Sequence, residues 1–186
     1  MEKDLKQLID HFRAIVKEDI LEVRVINGEF CDYEMVKEAL TFDNEETCYS
    51  DQTNDLSLNA RMFLMGSTIY GIFLNFEFIG TIGAYMHNPV DKTRLELCCC
   101  IKKEYRNKHI GETALREVIE KYLNDAKIKS IHVSIREDNI ASQKLAEKLQ
   151  FKEYTGYKDD ALFVKSDGTK IKQKQYLLKL KDYKKK

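Results

Sequence analysis

Leu95-Glu96-Leu97-Cys98-Cys99-Cys100-Ile101-Lys102-Lys103-Glu104-Tyr105-Arg106-Asn107-Lys108-His109-Ile110-Gly111-Glu112-Thr113-Ala114-Leu115 is the stretch that decides the fold. It starts as a nearly unbroken apolar run over 94–101, the pattern of a buried strand. A polar loop with Lys102, Lys103, Arg106 and Lys108 follows, and Gly111 opens a helix. In that helix Ala114, Leu115, Val118, Ile119, Tyr122, Leu123 and Ala126 keep the i, i+3, i+4 rhythm. Residues 129–135 then read as a strand. Strand, helix, strand implies a parallel pair joined by a right-handed crossover. A second amphipathic helix covers 140–149, with Asp138 or Asn139 as its cap. Strands at 154–164 and 171–180 surround Ser166-Asp167-Gly168-Thr169, a hairpin turn.

Upstream, residues 68–74 and 78–86 read as strands around the short turn Asn75-Phe76-Glu77. Residues 21–26 alternate as a strand until Asn27-Gly28 breaks them. A helix is predicted over 33–40, with Asp32 as its cap, and another over 59–65; between them 43–59 is polar and acidic. Residues 4–19 read as an amphipathic helix with Leu5, Leu8, Ile9, Phe12, Ile15 and Val16 on one face. The 186 residues suit one domain with a real core. The expected division is a helical extension over 1–19, the domain over 20–181 and a solvated basic tail over 182–186. No window approaches 18 consecutive apolar residues, so no membrane span is expected. The N-terminus lacks the apolar core of a signal peptide, which points to a cytoplasmic protein.

Net charge is zero, but the halves differ: residues 1–93 hold 8 basic and 17 acidic residues, and 94–186 hold 23 and 14. A basic half suits an anionic ligand and an acidic half a cationic one. The basic half also admits a nucleic-acid partner, but no helix–turn–helix or RNA-binding motif accompanies it, so none is expected. The five cysteines, Cys31, Cys48 and Cys98 to Cys100, are odd in number and lack CxxC spacing. Neighbours on a strand point to opposite faces, so the triplet makes a poor metal clamp, and no metal is expected. A basic loop between strand and helix is a physical candidate for phosphate binding, because the helix dipole and its free N–H groups favour an anion there.

The loop Arg106 to Gly111 and the later segment Asn139-Ile140-Ala141-Ser142-Gln143-Lys144-Leu145-Ala146-Glu147-Lys148-Leu149-Gln150-Phe151 together resemble the GNAT superfamily of acyl-CoA-dependent N-acetyltransferases. Within it the chain looks most like the branch of the ribosomal-protein N-terminal acetyltransferases. The resemblance covers residues 20 to 180. It implies an α/β (mixed α+β) GNAT-like fold: a central, mostly antiparallel mixed sheet with a splayed parallel strand pair and flanking helices. The family's pyrophosphate loop reads Arg/Gln-x-x-Gly-x-Gly/Ala. Arg106 and Gly111 match its first and last fixed positions, and His109 replaces the middle glycine. The Asn that contacts the pantetheine arm is matched by Asn139. Ser142 matches a position that in this branch protonates the departing thiolate; the tyrosine that many relatives use one turn on is Ala146 here. In isolation Asn139 also reads as a simple helix cap. The family's Gly-Phe after this helix is Gln150-Phe151.

The resemblance thus implies an enzyme that moves an acetyl group from acetyl-CoA to a primary amine by direct attack. Its cofactor-binding set would be Cys100, Ile101, Lys102, Arg106, Asn107, Lys108, His109, Ile110, Gly111, Glu112, Asn139 and Ser142. Such transfer needs a neutral amine, and a carboxylate can remove the proton. Glu96, on the buried strand, is the candidate base, with Asp159 and Asp160 as rivals; the other reading of Glu96 is a partner for a nearby Arg or Lys. Ser142 is the candidate acid. A thiol nucleophile from Cys98 to Cys100 is not expected, since the family's chemistry is direct. Residues 32–55 carry Asp32, Glu34, Glu38, Asp43, Glu45, Glu46, Asp51 and Asp55 against Lys37 alone, which suggests a cationic acceptor: a polyamine, an aminoglycoside-like amine or a protein N-terminus. The other reading of these acids is an exposed face kept for solubility. The expected assembly is a monomer or homodimer. The alternative to an enzyme is a non-catalytic GNAT-like module that binds acyl-CoA.

Overall fold

The computed structural model describes residues 19–26, 30–42, 60–61, 64–86, 90–156, 162–164 and 168–185. In chain order these give β1 (Leu21–Ile26), α1 (Phe30–Ala39), β2 (Ser67–Leu74), β3 (Glu77–Met86), β4 (Arg94–Ile101), α2 (Ile110–Tyr122), β5 (Ser130–Arg136), α3 (Ile140–Lys148), β6 (Lys152–Glu153), β7 (Leu162–Val164) and β8 (Lys170–Lys179). Residues 60–61 and 64–66 are also helical. The sheet runs β1-β2-β3-β4-β5-β8-β6, with β7 pairing β8 beside that path. Every pair is antiparallel except β4–β5. This is the mixed, mostly antiparallel sheet expected above. The crossover from β4 through α2 to β5 makes the parallel pair.

That pair is short. It runs from Arg94 opposite Ser130 to Glu96 opposite His132 and stops. Both strands continue, β4 to Ile101 and β5 to Arg136. Each stays with its antiparallel neighbour instead: β4 pairs β3 as far as Ile101 opposite Gly80, and β5 pairs β8 as far as Arg136 opposite Gln173. The sheet therefore opens in its middle beyond Glu96.

Alternation along the strands sorts side chains onto two faces. Leu95 and Leu97 of β4 and Ile131 and Ile135 of β5 join the core with Ala114, Leu115, Val118 and Ile119 of α2 and Ala146 of α3. A second cluster on the other face gathers Val36 and Ala39 of α1 with Ile69, Phe73 and Phe78. Cys100 points to that second face, with its Sγ 3.8 Å from the Ala39 carbonyl. Alternation puts Glu96 and Cys98 on the same side.

The β2–β3 hairpin closes through Asn75 and Phe76, both at positive φ (51° and 68°). Such a two-residue turn matches the twist of its strands, which offsets the discomfort of a side chain at Phe76. Of the predicted strand over 154–164, residues 162–164 form β7 and residues 154–156 are not strand; β6 lies just before it, and 157–161 are outside the described residues. The N-terminal helix, the acidic segment 43–59, Asp159 and Asp160, and the turn residues Ser166 and Asp167 lie outside the described residues.

Gln150 stands where a helix-ending glycine is preferred, and it adopts the left-handed conformation all the same, at φ 70°. Its side chain offsets the cost. Gln150 Nε2 donates to the Lys184 carbonyl at 2.8 Å, and Lys184 N–H donates to Gln150 Oε1 at 3.0 Å. The end of the chain, read above as a solvated tail, is thus tied back, and Tyr183 packs on the core. Replacing Gln150 by Ala keeps the strained φ and removes both bonds. Q150A should cost about 1–2 kcal/mol in urea unfolding, as two partly exposed hydrogen bonds would, and should speed proteolysis behind residue 180.

Candidate active site

The opening between β4 and β5 is where backbone N–H groups of a sheet are left without a neighbouring strand. Glu96 sits at its closed end, on the last paired register. Its carboxylate is held from β5: Ser134 Oγ lies 2.9 Å from Glu96 Oε1, and His132 Nδ1 lies 3.8 Å from Glu96 Oε2. Ser134 Oγ is also 2.9 Å from Gln175 Oε1 on β8. His132 is fully buried, and the Glu96 side chain keeps 15% of its exposure. The base candidate therefore stands at the opening in a polar cluster with His132 and Ser134. Sequence reading missed His132, Ser134 and Gln175. Each lies on a different stretch of chain from Glu96, and only strand register joins them.

On the other face, residues 102–111 wrap from the end of β4 to the head of α2. Arg106 Nε donates to the Ile101 carbonyl at 2.9 Å, which closes the loop on the strand it left. Asn107 and His109 take positive φ, 59° and 60°. The His109 side chain is largely exposed and makes no cap bond to the helix, so the first-turn N–H groups of α2 face the loop. Ile110 is buried and anchors the turn. A Cβ on Gly111 would lie 3.1 Å from Ile101 Cδ1, a contact a flexible methyl can relieve, which agrees with Gly or Ala at this place. Asn107, Lys108 and His109 are exposed at the loop tip, where an anion would meet them. The loop geometry and its donors fit a diphosphate.

Several side chains in the expected set are engaged elsewhere. Lys102 reaches across to α1, with Nζ 2.9 Å from Glu38 Oε1 and over the Phe42 ring at 5.3 Å. The Cys100 side chain faces α1, which leaves only its backbone for a ligand. Glu112 is a clamp between helices: Lys148 of α3 and Arg116 of α2 both hold its carboxylate. Those two cations, Lys148 first, lower the Glu112 carboxyl to about 2. Asn139 caps α3 through its Oδ1, which accepts from Ser142 N–H at 3.1 Å. The cap reading is therefore realised, and Ser142 is fixed in the first turn of α3. Among the described residues no group of three or more His, Cys, Asp or Glu side chains is placed to hold a metal ion. Cys99 lies against the α2-side core; burial, then the neighbouring thiols Cys100 and Cys98, push its thiol far up, away from a nucleophilic thiolate.

The family model for the acetyltransferase (GNAT) domain matches residues 12–152. No curated protein matches the sequence. Among solved structures, spermidine N-acetyltransferase SpeG from Vibrio cholerae is similar over 88% of this chain and 95% of its own, at 15% identity and a TM-score of 0.70. RimL, a ribosomal α-N-protein acetyltransferase solved with coenzyme A, is similar over 86% and 93%, at 14% identity and a TM-score of 0.65. The yncA protein from Salmonella typhimurium, solved with its cofactor acetyl-CoA, is similar over 89% and 96%, at 16% identity and a TM-score of 0.67. At these identities the likeness bears on the fold, and it singles out neither the ribosomal-protein branch nor another.

Two outcomes follow from the loop. A left-handed residue with a Cβ costs about 1 kcal/mol more than glycine. His109→Gly should therefore leave the melting temperature unchanged or raise it by a few degrees, and should tighten acetyl-CoA in calorimetry. For Glu112, the folded carboxyl titrates near about 2 against a free value of 4.5. Its clamp stabilises the fold fully above pH 4.5 and loses that contribution as pH falls toward 2. Lys148→Met should flatten this acid limb of the stability profile.

Proposed function

This chain belongs to the GNAT acetyltransferase family and transfers an acetyl group from acetyl-CoA, and on that premise we propose that it acetylates a cationic primary amine with Glu96 as base. The observation that carries the reading is the place of Glu96. It closes the gap between β4 and β5 and faces the α1 side, while the loop 102–111 and α3 lie on the other face. Donor and acceptor then approach one gap from opposite sides, which suits direct transfer with no covalent stage.

In this reading the amides and cations of the loop, with Arg106, Lys108 and the head of α2, hold the diphosphate. Asn139 and the unpaired edges of β4 and β5 hold the arm. Acetyl-CoA supplies an activated thioester carbonyl. An alkylamine has a pKa of about 10 and arrives protonated. Glu96, directly or through one water, takes that proton: an N–H bond breaks and a carboxyl O–H forms. The nitrogen lone pair then attacks, and strand amides in the gap donate to the developing oxyanion. As the C–S bond breaks and the carbonyl re-forms, Ser142 gives its proton to the departing sulfur and regains one from the nitrogen, which becomes the neutral amide; Glu96 then releases its proton to water. His109 in place of glycine alters the loop tip, but the donors of the helix head remain.

The acidic character of the α1 side supports a cationic acceptor. Asp32, Glu34 and Glu38 lie on α1. Lys102 already occupies Glu38, so a cation stands there even without an acceptor. SpeG, similar in fold, is a spermidine acetyltransferase by name.

The test is CoA release with a panel of amines. Spermidine, an aminoglycoside and basic peptide N-termini should be acetylated faster than neutral amines of like size, with a preference that fades as salt rises. Neutral amines winning without salt dependence would count against the acceptor class. Glu96→Gln should lower kcat by about 10²–10⁴ and leave acetyl-CoA affinity intact, since a general base contributes on that order.

A further inference from the structure

The cluster around Glu96 contains more than a base. Ser134 Oγ stands 2.9 Å from Glu96 Oε1 and 2.9 Å from Gln175 Oε1. A serine hydroxyl has one proton and cannot donate to two acceptors at once. Glu96 comes from β4, Ser134 from β5 and Gln175 from β8. Ser134 and Gln175 are register partners, so the β5–β8 ladder fixes their spacing. The β4–β5 ladder has already ended at Glu96 and His132, two residues before Ser134. Register thus brings Ser134 to the same face as Glu96, one step past the last paired position, and the side-chain bond fixes the carboxylate there.

We propose that Ser134 and Gln175 are positioning residues for the base. Gln175 turns its carboxamide so that Nε2–H donates to Ser134 Oγ. Ser134 then spends its single proton on Glu96 Oε1. The chain of two bonds runs one way, from amide to hydroxyl to carboxylate, and every group in it is satisfied. With Oε1 held by Ser134, the carboxylate is kept in one orientation. The groups that surround the carboxylate are His132 Nδ1 at 3.8 Å from Oε2, Tyr85 opposite it on β3, and Arg94 and Cys98 two positions to either side on β4. No proton moves along the chain in the reaction. Its work is orientation, and charge on the carboxylate strengthens its last bond.

The inference rests on Glu96 as base, and the experiment separates the two. We would measure kcat, the KM of acetyl-CoA and the melting temperature for Glu96→Gln, Ser134→Ala, Ser134→Thr, Gln175→Leu and the double variant Glu96→Gln with Ser134→Ala. Losing one hydrogen bond to a charged group is worth about tenfold in rate or somewhat more. S134A and Q175L should each lower kcat by about that factor with the acetyl-CoA KM and the melting temperature unchanged. S134T, which keeps the hydroxyl, should restore most of it. In the E96Q background S134A should have no further effect, because Ser134 acts only through the carboxylate. Impaired E96Q with normal S134A, or a S134A loss of equal size in both backgrounds, would overturn the positioning role and leave the base. Normal turnover in E96Q would remove Glu96 from the mechanism and this inference with it.

Discussion

One constraint organises the molecule: β4 and β5 pair for three residues and then part. Each strand keeps its full ladder on its outer side, to β3 and to β8. The break therefore costs only the inner ladder beyond Glu96 and His132. A sheet interior with unpaired amides is expensive when dry and empty. It is tolerable where a polar guest takes the place of the missing strand. The gap is thus a binding site by the logic of backbone hydrogen bonding, before any side chain is considered.

The two faces of the sheet divide the work at that gap. Alternation places the large apolar side chains of β4 and β5 under α2 and α3, where they anchor the loop and the α3 head. It places Glu96, with Ser134, on the other face, toward α1. The helices also lock to one another. Glu112, Arg116 and Lys148 tie α2 to α3, and Lys102 ties the start of the loop to Glu38. Residues that composition presents as phosphate-binding charge are therefore partly spent on holding the site's walls in register. The local price is visible in the left-handed residues: Asn107 and His109 in the loop and Gln150 after α3 all take a conformation that glycine takes more easily. Gln150 is compensated by its two bonds to Lys184, and His109 Nδ1 lies 3.4 Å from Glu112 Oε2.

Much of this was legible from the chain. The i, i+3, i+4 rhythm from Ala114 to Ala126 foretold α2, which ends at Tyr122 where the chain passes into tighter turns, Leu123 N–H donating to the Glu120 carbonyl and Asp125 N–H to the Tyr122 carbonyl. The apolar run over 94–101 foretold β4 to the residue. Strand, helix, strand foretold the parallel pair. Of the strand read over 154–164, residues 162–164 pair with β8, and Tyr154 reaches β8 by a backbone bond to Gln175 without being part of a strand.

What the sequence determined by itself, among the described residues, was most of the elements and their order, since these depend on periodicity and short-range turn chemistry. Tertiary structure decided where β4 and β5 part, and which side chains meet there. Glu96 and Ser134 are 38 residues apart and Ser134 and Gln175 are 41. No local pattern ties such positions, because strand register is set by the packing of whole faces and a slip of one residue would turn every side chain to the other side. The same reason hid the second duties of Lys102 and Glu112. A charge in a loop or at a helix head reads as available until the fold brings an opposite charge from another helix to meet it.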